Sequence, residues 1–246
     1  APDINHTDKT LMTKTVARAI LAKVYAEKPI RDYDKVIQYA DEVAADGVDL
    51  VDNLAMIFGM NDAVTDIKGR NTKESILEAQ FVAGGGNWCY MMFGRDVLNW
   101  EANFSWNKWA TPSRDLIKLY ETQGDVDRYK ESVVFYECGW SLYYPKDNYP
   151  FAYKCRSSLS SIIHLRYADI LLLKAEALVM KASPNLSLAA DIIDRVRTRS
   201  NVAKLATSVK GNKESMLTAV MNERRMELAF EGERWYDLVR LDKVAE

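Results

Sequence analysis

Two alanine-bearing blocks constrain this chain most. "ILAKVYA" (20–26) and "LLLKAEA" (171–177) share the pattern apolar-apolar-x-Lys-x-x-Ala. The first lies in a stretch, 10–26, where Val16, Ala19, Ile20, the stem of Lys23 and Val24 recur at helical spacing. Lys28-Pro29 breaks that stretch. Asp32 is placed to cap a second helix with Tyr33, Val36, Ile37, Ala40, Val43 and Ala44 on one side and Gly47 after its end. The second block repeats the plan: a helical stretch over 162–182, a turn at Ser183-Pro184, then "LSLAADIIDRVRTRSN". A helix, a short turn and a helix, with alanine at the close contacts, is the tetratricopeptide style of hairpin. More than a hundred residues separate the two hairpins, so a plain tandem solenoid does not fit. The expectation is a mainly α chain of tetratricopeptide-like hairpins, interrupted by an inserted, loop-rich, Trp-rich subdomain with short strands.

The intervening sequence differs in kind. "NTKESILEAQFV" reads as a short strand or helix. "TPSRDLIKLYET" reads as a helix capped by Thr111 with Pro112 in its first position and Leu116, Ile117 and Tyr120 on its buried side. "RYKESVVFYECGWSLYY" has strand or hairpin content, and "PKDNYPFAYKCRSSLSS" reads as loop. The chain divides into a helical hairpin and connection (1–81), the insertion (82–160) and a C-terminal helical part (161–246), together one domain fragment. In that last part Met216, Leu217, Val220, Met221, Leu228 and Phe230 mark one helix closed by Gly232, and Trp235, Leu238, Val239 and Leu241 mark another.

At 246 residues, 48% hydrophobic and 28% charged, the chain can bury a core. Its net charge of −2 and lack of a basic run speak against nucleic acid. No apolar window is long enough for a membrane span. Cys89, Cys138 and Cys155 form no CxxC pair, and only His6 and His164 are present, so neither a disulfide scaffold nor a structural zinc site is expected, and no cofactor or metal. One bridge with one spare thiol stays open. Both ends of the chain read as cut from something longer.

Glu223, Glu227 and Glu231 fall at i, i+4 and i+8, one column of a helix, with Arg224, Arg225, Arg234, Asp237 and Arg240 around them. Carboxylate pairs serve glycosidases. Here arginines nearly balance the acids, and partnered carboxylates have depressed pKa values where a general acid needs a raised one. An ion-pair lattice is the better reading, with Arg166, Asp169 and Glu176 as partners from another helix.

"NERRMELAFEGERWYDLVRL" (222–241) resembles the C-terminal signature of the SusD/RagB family at Glu223, Arg224, Arg225, Glu227, Leu228, Glu231, Gly232, Arg234, Trp235, Asp237, Leu238 and Arg240. "LRYADILLLKAEAL" (165–178) resembles a second block of that family. "DVDRY" (125–129) is similar to its Asp-x-Arg stretch, and "TVARAILAKVYA" to its alanine-packed helix. The resemblance implies a tetratricopeptide-like scaffold whose loops bind glycans, or peptides in some members. It also implies a non-catalytic lipoprotein on the outer-membrane surface of Bacteroidetes-type bacteria, delivering oligosaccharides to a SusC-type TonB-dependent transporter. Contact with the membrane would come only through an N-terminal lipid anchor absent from this chain. Family members are about twice as long.

"GGGNWCYMMFGRDVLNWEANFSWNKW" (84–109) holds four of the six tryptophans. An indole offers a negative face to the C–H face of a pyranose and has only two χ angles to fix. Interleaved amides and an arginine can bond ring hydroxyls, and the glycines allow positions that a Cβ forbids. The candidate ligand residues are Trp88, Trp100, Trp106, Trp109, Tyr90, Asn87, Arg95 and Asn107. The same rings could equally plug a loop-rich core. A second patch, Trp140, Tyr143 and Tyr144, could be site or hairpin core. The alternatives to a glycan-binding subunit are a peptide-binding member of the same family, a helical-repeat adaptor and a glycoside hydrolase. The adaptor would need tandem repeats, and the hydrolase unpaired carboxylates.

Overall fold

The computed structural model describes residues 3, 6–82, 86–92 and 110–245. Along the chain run α1 (Lys14–Ala26), α2 (Tyr33–Ala45), the short α3 (Ala55–Phe58), β1 (Ser75–Ala79), α4 (Cys89–Met92), α5 (Arg114–Gln123), α6 (Val126–Ser132), β2 (Val133–Tyr136) and β3 (Tyr149–Ala152). There follow β4 (Ile162–Arg166), α7 (Tyr167–Met180), α8 (Leu186–Arg199), the short α9 (Thr207–Lys210), α10 (Lys213–Glu227) and α11 (Arg234–Arg240). These elements fall into two compact units. One comprises 1–52, 71–78 and 163–246; the other comprises 53–70 and 79–162.

The first unit is helical. Thr13 caps α1 by accepting from the Val16 amide, so the helix starts four residues inside the expected stretch. Asp32 caps α2 by accepting from Lys35 N at 3.1 Å, as its position predicts. Val16, Ala19, Ala22 and Ala26 are buried on α1, and Val36, Ala40 and Val43 on α2. Small side chains on both surfaces let the two backbones approach closely.

The hairpins that the sequence separates are neighbours in space: α2 packs on α7, α7 on α8, and α10 on both α7 and α8. Tandem stacking, set aside for want of adjacent repeats, is restored by the fold. The chain leaves the stack after α2 and rejoins it at α7. Twelve of the fourteen residues of α7 are buried. A helix apolar nearly all round must be surrounded, and α7 is the centre of the main core.

Four local expectations are corrected. "IIHLR" is strand β4, paired with β1, and the helix begins only at Tyr167. Ser113 caps α5, accepting from Leu116 N at 3.1 Å, while Thr111 instead meets the Tyr149 hydroxyl. The stretch read as loop contains β3, which pairs antiparallel with β2 from Val133↔Ala152 to Tyr136↔Tyr149. Ile20 and Val24 are partly exposed and line an open groove of about 560 Å³ with Leu77, His164 and Leu165.

In the second unit α5 ends at Gly124, whose φ of +65° suits glycine. Asp125 then caps α6 and pairs with buried Arg128 at 2.5 Å. The Tyr120 and Tyr129 rings stack at 5.3 Å beneath them. No helix among the described residues is long and apolar enough to cross a membrane.

Candidate functional site

The buried acids of α7 explain the C-terminal signature. Asp169 and Glu176 lie inside the helical unit, where an unpaired carboxylate would cost several kcal/mol. Arg224 of α10 answers Asp169, donating through Nη2 to Oδ1 at 2.7 Å and through Nη1 to its carbonyl at 3.0 Å. Its Nε faces Asp237 of α11 at 2.9 Å. Arg240 forks onto Glu176 at 2.9 and 2.6 Å and also donates to Asp237.

Arg166, at the start of α7, uses all five of its N–H donors. They reach Glu74, Glu227 twice (side chain and carbonyl) and Glu231 twice, at 2.6 to 2.9 Å. Arg197 completes the acid column by pairing with Glu223 at 3.1 Å. Lys23 bridges Asp169 and Glu233 at 2.7 and 2.6 Å.

Burial alone would raise the Asp169 carboxyl. Arg224 and Lys23 outweigh it and hold the group well below the usual carboxylate range. Burial likewise opposes ionisation of Asp237, and Arg224 and Arg240 overcome it. The three glutamates of the column therefore form a lattice with arginines, as their spacing suggested.

This lattice turns α11 inside out. Its buried residues are Asp237 and Arg240, while Trp235 is 60% exposed and Val239 also faces outward. Phe230, expected in the core, sits past the end of α10 with φ of +64° and is partly exposed. The apolar spacing was real, but the buried carboxylates of α7 decide which face of α11 turns inward.

The aromatic candidates lie in the second unit. Trp88 stands 59% exposed, and Tyr90 is half-buried. Trp100, Trp106, Trp109, Arg95 and Asn107 lie outside the described residues. Asn87 is only 2% exposed. Its Oδ1 accepts from Cys89 N at 2.8 Å, its Nδ2 donates to Ser160 O at 2.8 Å, and its own N–H donates to Ser158 O at 2.8 Å. Gly86 approaches Ser158 so closely that a Cβ there would meet the serine Cβ at 2.6 Å. Trp88 thus projects from a turn fastened immediately on either side of it.

The second patch sits on the β2–β3 connection. Trp140 is 37% and Tyr143 81% exposed. Beneath them Tyr149 meets Trp140 edge-on at 5.2 Å, Tyr144 at 5.8 Å and Phe151 at 4.8 Å. Arg114 lies over the Tyr144 ring at 4.6 Å, and the Tyr144 hydroxyl donates to Pro112 O at 2.9 Å. The patch divides: Tyr144 packs with Tyr149 and Phe151 as framework, and Trp140 and Tyr143 are surface. Among the described residues no group of three His, Cys, Asp or Glu side chains is arranged to hold a metal ion.

A tetratricopeptide-like helical scaffold locked by buried ion pairs, with a strand-and-loop insertion carrying exposed indoles, defines the class. The SusD family model matches residues 73–246, and the chain belongs to that family. It is 26% identical to a SusD-like protein of Bacteroides ovatus, over 94% of this chain and 46% of that protein. Among solved structures, a SusD superfamily protein from Parabacteroides distasonis superposes with a TM-score of 0.74 at 21% identity, covering 97% of this chain and 54% of the other. A laminarin-binding SusD-like protein gives 0.71 at 24% identity, covering 99% and 58%. The chain thus spans about half the length of these relatives.

Proposed function

We propose that this chain is part of a cell-surface protein that binds oligosaccharides or polysaccharides without cleaving them and passes them to a SusC-type TonB-dependent transporter. In that reading the full-length protein is lipid-anchored at the outer membrane. The observation that carries the binding half is Trp88: a large apolar ring 59% exposed while its neighbour Asn87 is locked by hydrogen bonds. Exposing an indole on a fixed backbone sacrifices the burial that would otherwise stabilise the fold. It supplies a preformed face for a pyranose. Trp100, Trp106, Trp109, Arg95 and Asn107, from the same stretch of sequence, and Tyr90 are proposed as further ligand contacts, and buried Asn87 as the support of Trp88. Trp140 and Tyr143 offer a second ring face on the same unit. The resemblance to a laminarin-binding SusD-like protein, and to a surface glycan-binding protein A from Bacteroides uniformis with a TM-score of 0.71 at 20% identity over 99% of this chain and 53% of that one, supports a glycan over a peptide.

Tryptophan fluorescence titration of the chain with α-glucans, β-glucans, mannans, xylans and mucin fragments tests the reading. A saturable shift with one class is expected. Silence across the panel, for the chain and for the full-length protein alike, would favour a peptide ligand instead.

A further inference from the structure

Cys89 and Cys155 stand 66 positions apart in sequence, yet one buried side chain organises both. Asn87 Oδ1 accepts from Cys89 N at 2.8 Å, and Asn87 Nδ2 lies 3.4 Å from Cys155 Sγ. Each thiol is the strongest influence on the other's protonation. Neither cysteine is fully buried. The surrounding backbone is fixed on both sides. Gly86 and Asn87 dock on Ser158 and Ser160, and a serine turn, with Ser160 N donating to Ser157 O at 3.1 Å, shapes the loop that holds Cys155.

Thiols paired this way by their frame can join without large rearrangement, since a disulfide needs neighbouring sulfurs on backbones already close. We infer that Cys89 and Cys155 are a dithiol pair that closes into a disulfide, stapling the turn that presents Trp88 to the serine-rich loop ahead of β4. The oxidant is a disulfide of a small thiol. Cys89 thiolate attacks one of its sulfurs and expels one thiolate, leaving a mixed disulfide. Cys155, losing its proton, then attacks Cys89 Sγ and expels the second thiolate. The two protons given up by the cysteines are taken up by the released thiols, so two cysteines are oxidised and one small disulfide is reduced to two thiols.

The roles follow from the environment. The hydrogen bond from Cys155 draws the Cys89 thiol down to about 7 against the opposing effect of burial, which makes it the attacking group. That same bond, with burial, pushes the Cys155 thiol up. Cys138 is the thiol left over, buried with Tyr149 and Phe151.

The test is incubation of the whole chain with oxidised glutathione, then iodoacetamide under denaturing conditions and mass spectrometry. The oxidised chain should take up one alkyl group and the reduced chain three. A peptide joining the Cys89 and Cys155 segments should appear and vanish on reduction. The Cys138→Ser variant should give none and two. Closing a loop of this length should raise Tm by about 5 °C or more. Three alkyl groups after oxidation, a stable glutathione adduct on Cys89, or a bridge to Cys138 would each overturn the pairing. A Cys89–Cys155 bridge with unchanged Tm would overturn the staple.

Discussion

Arg166 Nη1 donates to Glu227 Oε1 at 2.6 Å while its Nη2 donates to the Glu227 carbonyl at 2.7 Å, across 61 residues of chain. One arginine thus fastens the first turn of α7 to the last turn of α10 through both a side chain and the backbone. Glu74 and Glu231 close the set around it.

Replacing Arg166 by Met should therefore leave three carboxylates without their common partner, at a cost of about 3–5 kcal/mol. Arg166→Lys should recover only part of this, because an ammonium has three donors and no planar fork. Chemical denaturation of both variants at neutral pH measures the difference. Arg166→Met with unchanged stability would mean the lattice is decorative.

The pH dependence has a definite sign. Asp169 and Asp237 are held below the ordinary aspartate range in the folded chain. The stability they contribute is complete above the unfolded value, about pH 4, and is lost as pH falls through the folded values. Glu233 acts oppositely: burial and the Asp169 charge raise its carboxyl, so its contribution declines as pH rises through the carboxylate range. Tm should fall below about pH 4. The gap between the native chain and Asp237→Asn, wide at pH 7, should narrow in acid. A gap independent of pH would contradict the assignment.

Gly86→Ala should destabilise the second unit by about 1–3 kcal/mol, since the new methyl meets the Ser158 Cβ at 2.6 Å. Ser158→Gly in the same chain should restore part of the loss. Thermal melts of the single and double variants decide it, and additive losses would argue against the contact.

Much of the scaffold was legible because α1, α2, α8 and α10 announce themselves by period, and α2 also by its cap at Asp32. The start of α7 was not: "IIHLR" is as apolar as the helix it precedes, and only its pairing with β1 makes it a strand. Adjacency of the two hairpins was also invisible, because nothing local in 46–162 says that the chain returns to α2. The orientation of α11 depends on Glu176 and Asp169, which lie more than fifty residues upstream of it. At the candidate site, ring content and glycines single out a stretch of sequence and not the part each residue plays. Which residue faces solvent and which supports it is set by Ser158 and Ser160, too distant in sequence for Asn87 to reveal its supporting part.

The central claim rests on Trp88, and calorimetric titration of the native chain and of Trp88→Ala with the glycan selected by the fluorescence panel tests it most directly. Because Trp88 is largely exposed, the substitution should change folding stability by no more than about 0.5 kcal/mol. It should weaken binding by about 1–3 kcal/mol, roughly five- to 150-fold in Kd. Native-like Kd in a well-folded Trp88→Ala chain would contradict the account and move the ligand surface elsewhere on the protein.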